Sequence, residues 1–279
     1  MRFPRHWALG RSGAGVAWGW SDVSPEAAQA DALARAIRLE ALLRGGRRPE
    51  RQDGYYLGRP MRELVLHEVV RSSAGLSVAV TRNASGAEVL NAAHALFVDV
   101  DLPAPSAPGF FARLFGAKPL GRDDPASAES AAVARAVRWA AAHPSWGWRI
   151  YRTAAGLRLL ATHAPFRPGD DLVQEAFREL GADPLYARLC HAQACFRARL
   201  TPKPWRLGLR TSPPPWPWAD AAAEAEFVAW ERSYRAAADG YATCELLRVV
   251  GNPEIHPELR ELLAWHDEVC LVGSGLPLA

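Results

Sequence analysis

The stretch that most constrains the fold is a hydrophobic run carrying two acids, Leu96-Phe97-Val98-Asp99-Val100-Asp101-Leu102. It predicts a buried strand, in which successive side chains point to opposite faces of the sheet. Asp99 and Asp101 then share one face, roughly 7 Å apart, while the neighbouring valines point into a core. Two close carboxylates repel each other, and a divalent metal is the usual reason to keep such a pair. The alternative is a solvated pair at the strand-to-loop junction before Pro103.

The composition indicates an ordinary globular protein. Its 279 residues fit one large domain or one domain with a substantial extension, and 49% of them are hydrophobic. The formal net charge is only +3, and the basic residues are almost all arginine, with lysine at Lys118 and Lys203 alone. Together with the abundant alanine, this indicates a bacterial-type, GC-rich coding bias. The arginine excess by itself is therefore weak support for phosphate binding.

The sequence predicts a cytoplasmic protein that does not interact with a membrane. No run approaches the roughly 18 apolar residues of a membrane span. The start, Met1-Arg2-Phe3-Pro4-Arg5-His6, is basic but is not followed by the apolar segment of a signal peptide. Four cysteines in a chain of this length do not make a disulfide scaffold.

Hydrophobic periodicity, caps and turns predict a mixed α+β fold. Ser24 as N-cap and Pro25 at the first helical position begin a helix that runs to about Leu43. Further helices are expected at 126–143, 170–180, 183–193, 219–238 and 257–271. Strands are expected at 61–70, 76–82, 87–91, 94–102, 148–153, 157–162 and 195–200, while the segment 240–250 stays unassigned.

The element order between 94 and 200 predicts a ferredoxin/RRM-like core. Strand, helix, strand, strand, helix, strand is the βαββαβ arrangement, which forms a four-stranded antiparallel sheet with helices on one face. We therefore divide the chain into an N-terminal extension of a helix and strands (1–93), the core (94–205) and a Pro-rich segment with C-terminal helices (206–279).

This topology predicts a mixed-charge site on the open face of the sheet. The first and third strands lie in the middle, and the fourth pairs with the first, so both neighbours begin beside the end of the first strand. Alternation then places two acids and three arginines together: Asp99, Asp101, Arg158, Arg197 and Arg199. Acids that bind a divalent cation beside arginines that bind phosphates are typical of phosphoryl transfer. Simple neutralisation in salt bridges is the alternative.

Three segments resemble motifs of the archaeo-eukaryotic primase superfamily. Phe97–Asp101 is similar to its first motif, hydrophobic residues followed by acid-x-acid. Tyr151–Leu159 contains a small, Gly-containing turn like that of the second motif, and Arg197–Pro204 resembles the basic segment after the third. The resemblance covers roughly 95–205 and implies an RRM-like catalytic unit.

The resemblance implies a metal-dependent nucleotidyltransferase that acts on nucleotides and DNA or RNA. In that hypothesis, Asp99 and Asp101 are catalytic and bind Mg²⁺ or Mn²⁺. The residues expected to bind nucleotide or phosphate are Thr153, Arg158, Arg197, Arg199 and Lys203.

The chain departs from the family pattern at two positions. The second-motif histidine is replaced by Arg158, and His163 lies at the far end of that strand. The fourth strand lacks the third acid, for which Asp183 is the nearest candidate. A degenerate member that binds nucleic acid or nucleotide without extending it is thus the alternative. A nucleotide-sugar transferase with an Asp-x-Asp metal site is a third hypothesis, although its doubly wound order does not fit 148–163.

Cysteine and histidine spacing does not predict a zinc site. Cys190, His191 and Cys195 could be completed by Cys244, His266 or Cys270. However, Cys-x4-Cys is a loose spacing without a second pair, and buried free cysteines are common. His266-Asp267 resembles a phosphohydrolase dipeptide, but an exposed helix face is the expected setting.

Three tryptophans in the Pro-rich segment leave two interpretations open. Trp205, Trp216 and Trp218 lie near Arg206 and Arg210. They could stack on bases with help from the arginines. Alternatively, they attach the Pro-rich segment to the domain surface.

Overall fold

The structure, a computed structural model, describes residues 1–46, 60–71, 75–103 and 125–279. In these ranges the chain forms six α-helices, a short 3-10 helix and ten strands in three antiparallel sheets. The mixed α+β class predicted from the sequence is confirmed. No helix of the described residues is long and apolar enough to cross a membrane.

The N-terminal region is a β-hairpin covered by a helix. Strands β1 (His6–Ser12) and β2 (Gly15–Ser21) pair with each other, and helix α1 (Pro25–Arg44) packs against both. A Cβ atom at Gly19 would lie 2.1 Å from the main-chain nitrogen of Ala32, so glycine permits this close approach. The helix agrees with the sequence prediction, whereas the hairpin was not predicted because its tryptophans and glycines show no clear period.

The other strands form two four-stranded sheets. The first has the order β3-β4-β5-β9 and consists of β3 (Leu64–Arg71), β4 (Gly75–Arg82), β5 (Glu88–Ala92) and β9 (Phe196–Arg199). The second has the order β10-β7-β8-β6 and consists of β6 (Phe97–Asp101), β7 (Gly147–Thr153), β8 (Gly156–Ala161) and β10 (Cys244–Gly251). In the second sheet Asp99 lies opposite Arg158, which in turn lies opposite Tyr151.

The remaining helices begin and end close to their predicted bounds. They are α2 (Pro125–Ala142), α3 (Asp171–Leu180), α4 (Pro184–Gln193), α5 (Ala221–Ala238) and α6 (Pro257–Val269). The short 3-10 helix (Pro204–Leu207) was not predicted. Gly181 ends α3 in the left-handed conformation, at φ +74°, which glycine adopts readily. Asp183 caps α4 by accepting a hydrogen bond from the main-chain nitrogen of Leu185.

The predicted strand order holds for three strands and is wrong for the fourth. β6 and β7 both pair with β8, as expected, but β9 pairs with β5 in the other sheet and not with β6. The outer edge of β6 is instead contacted by α4. The main-chain N–H of Asp183 donates to Asp99 O at 3.0 Å, and the hydroxyl of Tyr186 lies 3.0 Å from Phe97 O. These bonds replace the expected pairing, so the ferredoxin/RRM-like order is not found.

The second sheet is covered on both faces. On one face, Glu129 of α2 pairs with Arg152 at 2.6 Å. On the other, Asp267 of α6 pairs with Arg149 at 2.6 Å, and the ring of His266 lies 5.4 Å from that of Phe97. Phe97 and Asp99 share this second face, so the prediction of a ligand-accessible open face is wrong along most of β6. α6 covers the face because its leucines need burial against the sheet.

Candidate functional site

Three carboxylates lie together at the end of β6. Asp99 is partly buried, Asp101 is exposed, and Asp183 is attached to β6 through its bond to Asp99 O. Partial burial, reinforced by the charges of Asp99 and Asp183, raises the pKa of Asp101. In the described part of the chain no basic group lies within ion-pair distance of these carboxylates. The structure therefore brings the candidate third acid to the predicted pair.

Three cations at the end of β9 and in the segment that follows it lie near one another, and two of them, Arg199 and Lys203, lie within electrostatic range of Asp101. Burial, with the charges of Arg158 and then Arg206, lowers the pKa of Arg199 to about 10. Burial, Arg199 and Arg206 also lower the pKa of Lys203. We call Arg199, Lys203 and Arg206 the basic cluster; Arg206 was not included in the predicted site. Buried nitrogens of two members, Arg199 Nε and Arg206 Nη1, have no hydrogen-bond partner among the described residues.

The acids and the basic cluster interact without touching. Lys203 and Arg199 act on the pKa of Asp101, although no ion pair joins the two groups within the described ranges. The cations repel one another, and so do the carboxylates. A ligand with negative charge beside the cations and positive charge beside the carboxylates would stabilise both groups. A nucleotide triphosphate together with a divalent cation has both kinds of charge.

Arg158 is buried beneath α6. Its Nη1 donates to Arg199 O at 2.8 Å and lies 3.3 Å from His266 Nε2. The sequence correctly placed Arg158 beside Asp99, but it could not show the helix that covers the guanidinium. In this position Arg158 supports the main chain of β9 and does not face solvent.

Two other predicted phosphate ligands make structural contacts. Nη2 of Arg197 donates to both carboxylate oxygens of Glu63, each at 2.9 Å, and Glu63 is only 3% exposed. The hydroxyl of Thr153 donates to Gly156 O at 3.1 Å and closes the turn between β7 and β8. These contacts account for both side chains without a ligand.

His163 lies away from the acids, in an aromatic cluster. Its ring lies 4.6 Å from that of Trp146 and 5.3 Å from that of Phe166. Its Nδ1 accepts a 3.2 Å hydrogen bond from the main-chain nitrogen of Gly147. Burial lowers the pKa of His163. These contacts describe a partly buried histidine that packs against aromatic rings.

A second group of chemically capable side chains lies under α6. The ligand atoms of Cys244, His266 and Cys270 all lie within 4.8 Å of one another, and the three residues are fully buried. Such a group could hold a metal ion. The expectation that His266 occupies an exposed helix face is wrong, because the helix turns this residue towards the sheet.

The sequence did not reveal this group because its members come from distant segments. Cys190 and Cys195, which first suggested a zinc site, lie elsewhere, at the end of α4, where burial raises their thiol pKa values to about 12 and about 11. The one feature of the sequence that could have indicated this group is the spacing of His266 and Cys270, which puts two possible metal ligands on one face of a helix.

No family model, curated protein or solved structure matches this chain. The resemblance to the primase superfamily therefore remains a prediction from its motifs, and the function has to be inferred from the site.

Proposed function

We propose that this protein is a primase-like nucleotidyltransferase. In this proposal Asp99 and Asp101 bind Mg²⁺ or Mn²⁺, and Arg199 and Lys203 bind the phosphates of a nucleotide. The observation that carries the proposal is the arrangement of the acids and the basic cluster, which lie within electrostatic range but form no ion pair among the described residues.

The acids fit a hard divalent cation. Mg²⁺ and Mn²⁺ bind carboxylate oxygens, and usually one or two carboxylates together with substrate phosphates. Partial burial, and after it the charges of Asp99 and Asp183, raise the pKa of Asp101 and so disfavour its negative charge. A bound cation would relieve this repulsion.

The basic cluster fits the phosphate side of the reaction. In nucleotidyl transfer, a hydroxyl oxygen attacks the α-phosphorus, the bond to the β-phosphate oxygen breaks, and pyrophosphate leaves with the negative charge. A bound divalent cation supplies charge neutralisation at the phosphates. Arg199, Lys203 and Arg206 would orient the triphosphate and stabilise the charge that develops on the leaving group.

An exposed aromatic ring beside the basic cluster supports a nucleotide ligand. Trp205 is 57% exposed, and the Nζ of Lys203 lies 5.1 Å from the centre of its ring. Bases stack on such rings without strong sequence preference, and a neighbouring cation strengthens the contact. Trp218 instead packs against Phe227, 5.0 Å between ring centres, and attaches the Pro-rich segment to α5.

A nucleotide- or nucleic-acid-binding protein without catalysis is the second candidate. One observation favours it: Oδ1 of Asp183 already accepts the 2.9 Å hydrogen bond from Leu185 that caps α4. That bond reduces the availability of the third acid for a metal. In this case the basic cluster binds phosphates without help from the acids.

A metal titration combined with an extension assay tests the proposal. We would measure Mn²⁺ binding and incorporation of labelled nucleotide into a primed template by the wild type, Asp99→Asn and Asp101→Asn. Asp239→Asn, an exposed acid that follows α5, is the matched control. Loss of a direct metal ligand should reduce incorporation by at least about 100-fold, while the control stays at the wild-type level.

The same experiment separates the two candidates. Nucleotide binding that needs no metal and is unchanged by both substitutions, without incorporation by the wild type, would support the binding protein and contradict the enzyme. If the wild type binds neither nucleotide, single-stranded nucleic acid nor Mn²⁺, both candidates are wrong.

A further inference from the structure

The group formed by Cys244, His266 and Cys270 has the chemistry of a soft-metal site. Two thiol sulfurs and an imidazole nitrogen lie within 4.8 Å of one another in a fully buried position. Zinc is bound in proteins by these ligand types, whereas Mg²⁺ prefers oxygen. The group is separate from the carboxylates at the end of β6.

Main-chain hydrogen bonds hold the three residues in place. Cys244 begins β10, and the main-chain N–H of its neighbour Thr243 donates to Cys270 O at 3.1 Å. Cys270 N donates to His266 O at 3.0 Å, as expected for residues one helical turn apart. These backbone hydrogen bonds therefore hold the strand and the helix so that the three side chains lie close together, and a metal is not needed to bring them there.

The histidine is oriented as a metal ligand usually is. Nδ1 of His266 lies 3.0 Å from Oδ1 of Asp267, so this nitrogen donates its proton to the carboxylate and Nε2 is unprotonated. The lone pair of Nε2 faces Arg158 Nη1 at 3.3 Å, a contact that a metal ion would replace. Asp267 is held in turn by Arg149 at 2.6 Å and by the hydroxyl of Tyr151 at 2.8 Å. A carboxylate that orients the imidazole in this way is a regular feature of zinc sites.

We propose that Cys244, His266 and Cys270 bind a Zn²⁺ ion that fastens α6 to the edge of the second sheet. The inference does not depend on the proposed function. Two thiolates neutralise the ion, so the neighbouring guanidinium of Arg158 is not repelled. Its Nη1 lies 4.0 Å from Cys270 Sγ and can donate to a zinc-bound sulfur. The carbonyl of Arg199 lies 3.9 Å from the same sulfur.

This site links the metal to the basic cluster. Arg158 Nη1 donates to Arg199 O, so the residues that would bind zinc also support the main chain that carries Arg199. Zinc at this point would stabilise the position of β9 relative to α6. We therefore expect zinc removal to loosen α6 and to shift the thermal unfolding midpoint downward.

Zinc content and cobalt absorption test the site on the intact wild-type chain. We expect one zinc per chain after exposure to micromolar Zn²⁺ and removal of excess metal. After Co²⁺ replacement we expect a thiolate-to-cobalt charge-transfer band and the visible bands of tetrahedral Co²⁺. A chain that binds no zinc, or a cobalt spectrum without thiolate bands, would overturn the proposal whether or not any variant folds.

Cysteine variants provide matched controls. Cys244→Ser and Cys270→Ser should each lower the zinc content to near zero, whereas Cys190→Ser and Cys195→Ser, at two equally buried cysteines, should keep one zinc per chain. Asp267→Asn leaves all three ligands and should weaken zinc binding by about 10- to 100-fold. Equal loss in all four serine variants, or a Cys244–Cys270 disulfide in place of two free thiols in the isolated protein, would contradict the site.

Discussion

The main-chain N–H of Asp183 donates a 3.0 Å hydrogen bond to the main-chain carbonyl of Asp99. This bond attaches the start of α4 to the outer edge of β6, where a neighbouring strand would otherwise pair. A third carboxylate thus reaches the Asp99–Asp101 pair from a helix N-terminus and not from the fourth strand.

The two roles of Asp183 can be separated by substitution. Serine caps a helix about as well as aspartate, so Asp183→Ser should leave the free energy of unfolding nearly unchanged, whereas Asp183→Ala should lower it by about 1 kcal/mol. Both variants remove the carboxylate and should weaken Mn²⁺ binding by about 10-fold or more. Urea denaturation and Mn²⁺ titration measure the two effects. Full Mn²⁺ affinity in Asp183→Ser would show that this acid does not serve the metal.

The hydroxyl of Tyr186 bridges the two four-stranded sheets. It lies 3.0 Å from Phe97 O in β6 and 3.1 Å from Arg197 O in β9. Burial raises the pKa of this phenol well above its usual value, so it keeps its proton. Tyr186→Phe leaves buried carbonyls without a donor and should lower the free energy of unfolding by about 1–3 kcal/mol. In urea denaturation, Tyr241→Phe is the control and should stay near the wild type.

His163 should make stability depend on pH. Its folded-state pKa lies below the ordinary value of about 6.5 because burial disfavours the charged ring. The unfolded chain therefore binds the proton first, and stability falls as pH drops from the unfolded-state pKa through the folded-state pKa. His163→Asn keeps an acceptor for Gly147 but cannot titrate, so its stability should fall less between pH 7 and 5. If the urea midpoints of the wild type and of His163→Asn change with pH in parallel, this explanation is excluded.

The basic cluster should dominate nucleotide binding. Arg206→Gln removes one charge-assisted contact, worth about 1.5–3 kcal/mol, and should weaken nucleotide binding by about 10- to 100-fold. Binding to single-stranded nucleic acid should also lose about 0.7 of its salt-dependence slope for each phosphate contact removed. Arg232→Gln, on the exposed surface of α5, should change neither quantity. Equal effects of the two substitutions would indicate general charge attraction without a defined site.

Arg197 should affect folding and not phosphate binding. Arg197→Gln leaves the carboxylate of Glu63 buried without its ion-pair partner, and breaking such a pair costs about 3–5 kcal/mol of unfolding free energy. Nucleotide affinity of the folded variant should equal that of the wild type in a fluorescence titration. A weaker affinity without a stability change would restore the phosphate-binding role predicted from the sequence.

Local signals explain what the sequence predicted well. Caps and periodicity act over a few neighbouring residues, so Ser24 with Pro25, Gly181 and the alternation along β6 were sufficient to place α1, the end of α3 and the strand. The N-terminal hairpin lacked such a signal because its tryptophans and glycines do not alternate between buried and exposed positions.

The sequence by itself determined the types and approximate bounds of these elements, and it placed Asp99 opposite Arg158 on one face of a sheet. Only the tertiary structure decided that α4 contacts the outer edge of β6, that α6 covers Arg158, and that Cys244 meets His266 and Cys270. The physical reason is that two choices depend on segments far apart in the chain. Which element pairs with a strand, and which helix covers a face of a sheet, are decided by the burial and hydrogen bonding of those distant segments. Such competition between distant segments leaves no periodic pattern at any one of them.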